Sequence, residues 1–373
     1  MKFVPSAGAD LPIFVVAFLA AAAIAYGLTP LVRTSAVRLG IVDRPNHRRV
    51  NTHPVARGGG IAIVIAFLVV AVAAVFLNNG LGLIRTPTLD GGQLLALLAG
   101  GAAAAVIGAL DDYLNLRARW QLVGQLGLAF GAVALGIGIG LVNNPFGKDS
   151  IEIDQPFATG FTVLWILGMI NSVNFIDGLD GLSSGIALIA ALTLGVISLT
   201  TQIGQPFVAL LCVILAGSLL GFLRWNFHPA MVFAGTSGTM FIGYTLAVLS
   251  ILGSAKVAVA LLVLGVPIID TFWIIVRRVL GGRSPFTPDR GHIHHRLLDL
   301  GLSHRQTVLL IYAICVGLGV LSLVLSGASQ VYAFLGVLVG TGLVLLFLAW
   351  GGFSDGALDA ESYANGHGPD DRH

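Results

Sequence analysis

The sequence consists largely of apolar stretches that are each long enough to cross a bilayer as a helix. A hydrocarbon core of about 30 Å requires about 20 helical residues. Eleven such stretches can be marked, at residues 12–32, 59–78, 92–110, 120–142, 157–176, 182–201, 207–223, 237–253, 257–276, 307–325 and 331–350. Only 10% of the residues are charged and the mean hydropathy is +0.91, which excludes a soluble globular enzyme, a disordered chain and a nucleic-acid-binding protein. We therefore predict an all-α integral membrane protein, a polytopic bundle of about eleven transmembrane helices.

Basic residues between these spans predict the orientation of the bundle. One face carries 16 of the 20 Lys and Arg residues and the other face carries four. Because basic residues in short loops stay in the cytoplasm, the amino terminus is expected outside and the carboxyl terminus inside. All nine histidines also fall on the basic face, so we expect the chemistry there. Residues 1–350 are predicted to form one multi-span domain, and residues 351–373 a polar, disordered cytoplasmic tail.

Two adjacent acids, Asp111 and Asp112, close the third predicted span. They stand at the carboxyl end of a predicted helix, where the helix dipole disfavours negative charge. They either cap the next short helix or lie near a cation or a cationic partner. Two adjacent acids placed against the helix dipole favour the second interpretation.

A second polar stretch follows the fifth span. Asn171, Asn174 and Asp177 recur every three residues and form one stripe on a helix, which Asp180 continues beyond a glycine. The stripe could simply join helices through amide hydrogen bonds. Carboxylate and amide oxygens are also ligands for a hard cation such as Mg²⁺, and the two aspartates favour this interpretation.

Two further segments carry groups suited to phosphate. The turn at 235–239, rich in Gly, Ser and Thr, opens the eighth span with backbone N–H groups, which bind phosphate or serve as an ordinary cap. The longest inner loop holds His292, His294 and His295 among arginines that include Arg290. Three histidines could bind zinc, but no cysteine or HExxH spacing accompanies them. Imidazole and guanidinium groups together suit a diphosphate better.

Two other features have open interpretations. Asp270 lies within the ninth span and either pairs with a basic group or takes part in function. The first inner loop, residues 43–60, contains arginines, two histidines and a glycine triplet. Its charge either reflects orientation alone or attracts an anionic lipid headgroup.

These motifs, in this order, resemble the polyprenyl-phosphate N-acetylhexosamine-1-phosphate transferases. The matching residues are Asp111-Asp112, the Asn-x-x-Asn-x-x-Asp-Gly-Leu-Asp-Gly run at 171–181, residues 226–238 and the His-Ile-His-His-Arg loop. The resemblance spans residues 28–310, and the loop is closer to the branch that uses UDP-N-acetylglucosamine than to the branch that uses UDP-muramoyl-pentapeptide.

The resemblance implies transfer of a sugar 1-phosphate from the UDP-sugar to undecaprenyl phosphate, with release of UMP and with Mg²⁺ (or Mn²⁺) as cofactor. The site would face the cytoplasm at a bacterial inner membrane, and the reaction would begin a cell-envelope glycan. A homodimer of the chain is also compatible with the resemblance.

The same resemblance implies residue roles. Asp111, Asp112 and Asp177 would be catalytic, and Asn174, Asp177 and position 236 would form the metal site. Phe233 would stack on uracil. The other substrate-binding positions would be Asn171, Asp180, Asn226, Arg290, His292, His294, His295 and Arg119.

Two departures from the family pattern affect this expectation. Relatives usually read Gly-Asp-x-Gly where this chain has Thr236 after its glycine, and that aspartate is a Mg²⁺ ligand in the family. Either another acid completes the metal shell or the chain is impaired. Arg119 replaces a common lysine, which keeps the charge but changes its geometry. Two alternatives therefore remain: a non-catalytic relative that binds a nucleotide sugar or lipid, and a cation-coupled secondary transporter with its acids near mid-membrane.

Overall fold

The computed structural model describes residues 3, 7–43, 54–84, 89–143, 150–201, 203–253, 261–262, 264–280, 282, 292–325 and 329–343. Its helices are α1 Ala7–Arg38, α2 Gly60–Leu81, α3 Gly91–Leu114, α4 Ala118–Ala134, α5 Gln155–Ile176, α6 Leu182–Ser198, α7 Pro206–Asn226, α8 Gly235–Leu252, α9 Gly265–Leu280, α10 Ile293–Asp299, α11 His304–Val324 and α12 Ser329–Leu343. Two short antiparallel pairs join β1 Val42–Asp43 to β2 Val55–Ala56 and β3 Leu141–Asn143 to β4 Ser150–Glu152.

Local sequence explains where several of these helices begin. Asp90 and Gln93 form a capping box at the start of α3, and Ser303 and Gln306 form one at the start of α11. Proline lies in the first turn of α7, where its missing N–H costs no hydrogen bond. The helix starts thus have ordinary chemical causes.

The helices confirm an all-α membrane protein. Every predicted span overlaps a described helix, and seven of the described helices are long and apolar enough to cross a membrane. The helices α6 and α12 are shorter apolar helices. The ninth and eleventh spans, and the polar tail, lie partly or wholly outside the described residues. The number of eleven crossings and the orientation therefore stay predictions.

The prediction of one helix over residues 120–142 is wrong at its carboxyl end. The helix α4 ends at Ala134, and residues 141–143 form the strand β3. Gly136 adopts a left-handed φ of +91° directly after the helix, and two more glycines follow it at alternate positions. Glycine adopts this conformation without steric cost and weakens a continuing helix, which ends the span early.

The helix α8 forms the centre of the bundle. It packs against α3, α5 and α2, and nearly all of its side chains are buried. On the outside, α1 covers α7 and presents large apolar side chains such as Val16 and Leu31 to the surroundings. The amino end of α8 is consequently enclosed by the ends of its neighbours, and this is where the candidate site lies.

Because α2 packs closely on α8, we expect one added methyl group at this contact to lower the stability of the fold. A Cβ on Gly60 would lie 2.1 Å from the Cα of Gly238. We expect Gly60→Ala to destabilise the protein by about 1–3 kcal/mol, measured as a lower thermal unfolding midpoint in detergent. Gly127→Ala in α4 is the matched control, because nothing lies within 4 Å of its added Cβ. Equal midpoints for the two variants would contradict the tight α2–α8 contact.

Candidate active site

Asp112 connects the end of α3 to the start of α8. Its Oδ1 accepts a hydrogen bond from the Thr236 N–H (2.9 Å), and its Oδ2 accepts from the Ser237 N–H (3.0 Å) and hydroxyl (2.8 Å). Nη2 of Arg57 lies 3.5 Å from Oδ1. The negative charge of Asp112 is disfavoured by the dipole of α3 at its carboxyl end, but it is favoured by the dipole of α8 at its amino end. For Asp112, the expected cationic partner is thus Arg57.

The turn before α8 is bonded within the protein, as the cap interpretation of this turn expects. The backbone N–H groups of Thr236 and Ser237 both donate to the carboxylate of Asp112. Gly235 permits this approach: its φ is +72°, and a Cβ there would lie 2.6 Å from Oδ2 of Asp112.

Asp177 lies directly after α5 and faces the same group of charges. It accepts a hydrogen bond from the hydroxyl of Ser183 at the start of α6. Burial raises the pKa of Asp177 to about 6; the Ser183 hydrogen bond and the charge of Arg57 oppose this shift, while Asp112 and Asp180 add to it. Asp112, Asp177 and Arg57 therefore form one electrostatic cluster.

Asn174 lies beside the same end of α8. The Oγ1 atom of Thr239 is 3.1 Å from Oδ1 of Asn174 and 3.4 Å from the carbonyl oxygen of Thr236. Asn174, Asp177 and Thr236, the three positions predicted for the metal site, are thus gathered where α5 ends and α8 begins.

Asn171 and Asn226 occupy structural positions. Nδ2 of Asn171 donates to Oε1 of Gln125 in α4 (2.7 Å), which is the helix-joining role left open for the polar stripe. Asn226 accepts from the Ser184 hydroxyl (2.9 Å) and donates to the carbonyl of Val232 (3.0 Å). Both amides hold neighbouring elements of the bundle in place.

Three further predicted residues lie at the edge of the cluster. Asp111 accepts from the Leu116 N–H (2.9 Å) and from Gln121 (2.8 Å), which matches the capping interpretation for this acid. Arg119 is exposed, with its guanidinium 5.7 Å from the ring centroid of Trp120. Phe233 is partly buried, and its backbone pairs with the segment before α2.

The histidine loop is anchored by Asp270. Oδ2 of Asp270 lies 2.7 Å from Nδ1 of His292, and Oδ1 accepts the N–H of Ile293 (2.8 Å). Asp270 therefore pairs with His292. This agrees with the first of its two interpretations, pairing with a basic group. This pair fixes the orientation of His292 and leaves its Nε2 for another partner.

His294 is the most enclosed of these histidines. Its ring stacks on His292 (centroids 5.4 Å apart) and packs against Gly178, where a Cβ would lie 2.3 Å from Nε2. Both ring nitrogens are buried without a hydrogen-bond partner among the described residues. Burial first, and then the neighbouring His295 and His292, hold the pKa of His294 well below its usual value. The His294 ring is therefore neutral at pH 7.

Arg290, the arginine predicted to act with these histidines, lies outside the described residues.

Comparison with known proteins identifies the family. Residues 94–254 match the model of glycosyl transferase family 4. A probable undecaprenyl-phosphate N-acetylglucosaminyl 1-phosphate transferase of Bacillus subtilis is 38% identical over 321 residues, which is 84% of this chain and 86% of the relative. The chain belongs to glycosyl transferase family 4. The resemblance found in the motifs is confirmed.

Other relatives of this family 4 chain carry similar names. A decaprenyl-phosphate N-acetylglucosaminephosphotransferase of Mycolicibacterium smegmatis is 35% identical over 370 residues, covering 91% of this chain and 90% of the relative. An undecaprenyl-phosphate alpha-N-acetylglucosaminyl 1-phosphate transferase of Yersinia pestis is 28% identical over 293 residues, covering 75% and 76%. Each of these names contains both a polyprenyl phosphate and N-acetylglucosamine.

The family 4 site contains residues that sequence reasoning did not select. These residues are Arg57, Ser183 and Ser237. Arg57 and Ser237 contact Asp112, and Ser183 donates a hydrogen bond to Asp177. The charge of Arg57 also opposes the rise in the pKa of Asp177. Arg57 directly precedes the glycine triplet of the first inner loop, and that glycine run was the available signal of an ordered, closely packed segment. Ser183 and Ser237 stand at helix starts, where serine is common for other reasons.

Proposed function

We propose that this chain transfers N-acetylglucosamine 1-phosphate from UDP-N-acetylglucosamine to a polyprenyl phosphate of the undecaprenyl type and releases UMP, as the first membrane step of a cell-envelope glycan. The names of the relatives support the sugar phosphate and the lipid. The observation that carries the proposal is the convergence of Asp112, Asp177 and Arg57 at the start of α8. Two acids and a guanidinium suit a substrate pair that carries three phosphate groups.

Mg²⁺ is the proposed cofactor, with Mn²⁺ as an alternative. The donor set fits a hard cation, since Asp177 offers carboxylate oxygens and Asn174 an amide oxygen beside the acidic Asp112. Asp177 and Asn174 would hold the ion. When bound, it would supply positive charge that neutralises the diphosphate during transfer.

The proposed reaction is direct attack by the lipid phosphate. Its second pKa is about 6 by analogy with phosphorylated side chains, so at neutral pH it is mostly a dianion and needs no strong base. One of its oxygens bonds to the β-phosphorus of the donor while the bond from that phosphorus to the bridging oxygen breaks, and UMP leaves. Such transfer depends on positioning and charge neutralisation. Of the two candidate acids, Asp112 would position the acceptor through its ion pair with Arg57, because Asp111 is bonded to Leu116 and Gln121.

The histidine loop is proposed to hold the diphosphate and the sugar through Arg290, His292, His294 and His295. Support comes from His294, whose buried, neutral ring has two nitrogens without a hydrogen-bond partner among the residues that the structure describes. A neutral imidazole donates one hydrogen bond to phosphate without requiring a second charge. The excess of basic residues supports a cytoplasmic site at a bacterial inner membrane.

The test is release of UMP by the purified full chain in detergent. We expect UMP only when UDP-N-acetylglucosamine, undecaprenyl phosphate and Mg²⁺ are all present, and no UMP after EDTA. UMP release that does not require the lipid would contradict the proposed transfer. Trapping of a phosphorylated aspartate with the UDP-sugar alone would replace direct attack by a two-step route.

One second candidate has a specific observation in its favour. Thr236 stands where the family resemblance implies an acid, which favours a non-catalytic relative that binds the nucleotide sugar or lipid. Binding of UDP-N-acetylglucosamine without any UMP release would support that candidate. A cation-coupled transporter is not favoured, because Asp112 and Asp177 stand at the ends of α3 and α5, whereas the acids of a transporter are expected within paired broken helices.

A further inference from the structure

A groove of about 660 Å³ lies beside the last two turns of α7. One wall follows the spacing of a single helix face and consists of Leu220, Leu223, Arg224 and Phe227. The turn after α7 and the first turn of α11 complete the lining with His228, Pro229, Met231 and Arg305. The groove is therefore mostly apolar, but it contains two arginines.

The groove faces outward from the bundle. On the opposite face of α7, Phe222 is buried against the segment before α2, where a Cβ on Gly59 would lie 2.8 Å from its ring. On the groove side, Leu220 is 42% exposed and Met231 is 48% exposed. Because α7 is long and apolar enough to cross a membrane, apolar side chains exposed on its outer face contact lipid. The groove is thus open to the bilayer.

The two arginines place positive charge at one end of the groove. Both are exposed, and Nη2 of Arg305 donates to the carbonyl oxygen of His228 (3.2 Å), which links the start of α11 to the turn after α7. Leu220 lies one helical turn, about 5.4 Å, further into the span than Arg224. The charge therefore stands at the end of the helix, and the apolar surface extends from it into the span.

Aromatic side chains beside the groove mark the level of the lipid headgroups. Trp225 follows Arg224 directly, its ring lies 5.4 Å from that of Tyr26 in α1, and its Nε1 donates to the Tyr26 carbonyl oxygen (3.1 Å). Tyr26 is 49% exposed. Because Trp and Tyr are enriched where a membrane meets water, Arg224 is placed at the depth of lipid phosphates.

We propose that this groove binds an anionic phospholipid, with its phosphate held by Arg224 and Arg305 and an acyl chain lying against Leu220 and Leu223. Guanidinium groups bind phosphate oxygens through paired hydrogen bonds. Basic pockets beside transmembrane helices on the cytoplasmic side bind anionic headgroups, and this groove lies on the face predicted to be cytoplasmic. The eight described lining residues include no acid; Asp180, which bonds to His228, is not among them.

Two other occupants fit the groove less well. The acceptor lipid of the proposed reaction would have to bring its phosphate to Asp112 and Arg57 at the start of α8, whereas the groove lies on the outer face of α7. A free phosphate ion would leave the apolar wall unused. A phospholipid matches both the charge at one end and the apolar surface beyond it, and it would join the end of α7 to the start of α11.

The experiment measures lipid binding by the full chain in detergent after removal of bound lipid. Phosphatidylglycerol and phosphatidylcholine with the same acyl chains are titrated separately, and bound lipid is counted by native mass spectrometry. We expect one phosphatidylglycerol per chain, bound at least about tenfold more tightly than phosphatidylcholine, because the two lipids differ in headgroup charge. Its binding should also raise the thermal unfolding midpoint.

Paired substitutions locate the bound lipid. Arg224→Gln with Arg305→Gln should weaken phosphatidylglycerol binding by at least about tenfold and leave phosphatidylcholine binding unchanged. The matched control is Arg38→Gln with Arg117→Gln, because these arginines are also exposed on the predicted cytoplasmic face but do not line the groove. The control should bind both lipids as the unaltered chain does, and circular dichroism verifies the fold of each variant.

Several results would overturn the proposal. Equal affinity of the unaltered chain for the two lipids would remove the headgroup recognition, and an equal loss in the control would reduce it to general surface charge. Displacement of phosphatidylglycerol by millimolar inorganic phosphate would assign the arginines to a free anion. Undecaprenyl phosphate that binds more tightly than phosphatidylglycerol, and is lost in the Arg224 and Arg305 variant, would assign the groove to the acceptor. The readout is bound lipid and does not depend on UMP release.

Discussion

Asp177→Asn is expected to reduce Mg²⁺-dependent UMP release by about 10³-fold. Asparagine keeps the size of the side chain and can still accept the hydrogen bond from Ser183. It removes the charge that the proposed cation needs, and loss of several kcal/mol of charge stabilisation corresponds to about 10³ in rate. The measurement is the initial rate of UMP release at saturating Mg²⁺.

The control for this substitution is Asp299→Asn. Asp299 ends α10 and is exposed, so the same chemical change is made outside the electrostatic cluster. Its rate should equal that of the unaltered chain. A fall of less than about tenfold in Asp177→Asn, with the fold intact, is too small for loss of a metal ligand and would move the metal site elsewhere.

Thr236→Asp is expected to raise the rate of UMP release by about 10²-fold from a low starting value. The change restores a carboxylate beside Asp112 and within the group that contains Asn174 and Asp177. An additional oxygen ligand at a catalytic cation contributes several kcal/mol, which is at least about 10² in rate. The initial rate with UDP-N-acetylglucosamine and undecaprenyl phosphate measures it.

A second readout separates metal binding from other effects of the same change. Without Mg²⁺, a third carboxylate repels Asp112 and Asp177, so Thr236→Asp should unfold at a lower temperature than the unaltered chain. Added Mg²⁺ should raise its midpoint more than that of the unaltered chain. Thr236→Asn, which adds no charge, should show neither effect. Strong turnover by the unaltered chain with no gain in Thr236→Asp would contradict the argument about the metal shell.

The sequence predicts the class of fold well because the apolar stretches respond to one dominant constraint, the thickness of the bilayer. The spacing of Asn174 and Asp177 predicts that they share one helix stripe, but only resemblance to a family adds Thr236 to them. Asp112 shows why: nothing local indicates that this acid at the end of α3 is neutralised at the start of α8, 124 residues further on. That partnership depends on how α3 packs against α8.

The same limit applies to individual contacts. The spacing of Asn171 is compatible with either a ligand or a helix-joining amide, and only the position of Gln125 on α4 decides between them. The early end of α4 was readable in principle from the glycines after residue 135. Apolar residues between those glycines concealed the signal, because they continue the hydropathy of a span.

The pairing of Arg57 with Asp112 has a consequence for the order in which ligands gather. The guanidinium is 25% exposed and serves as counter-ion to a carboxylate that is 2% exposed. An anion that engages Arg57 weakens its hold on Asp112, and the unmatched negative charge then attracts a divalent cation more strongly. By thermodynamic reciprocity, a cation bound first strengthens capture of the anion by the same factor. We therefore expect the proposed cation and the anionic substrate to bind cooperatively through this one ion pair.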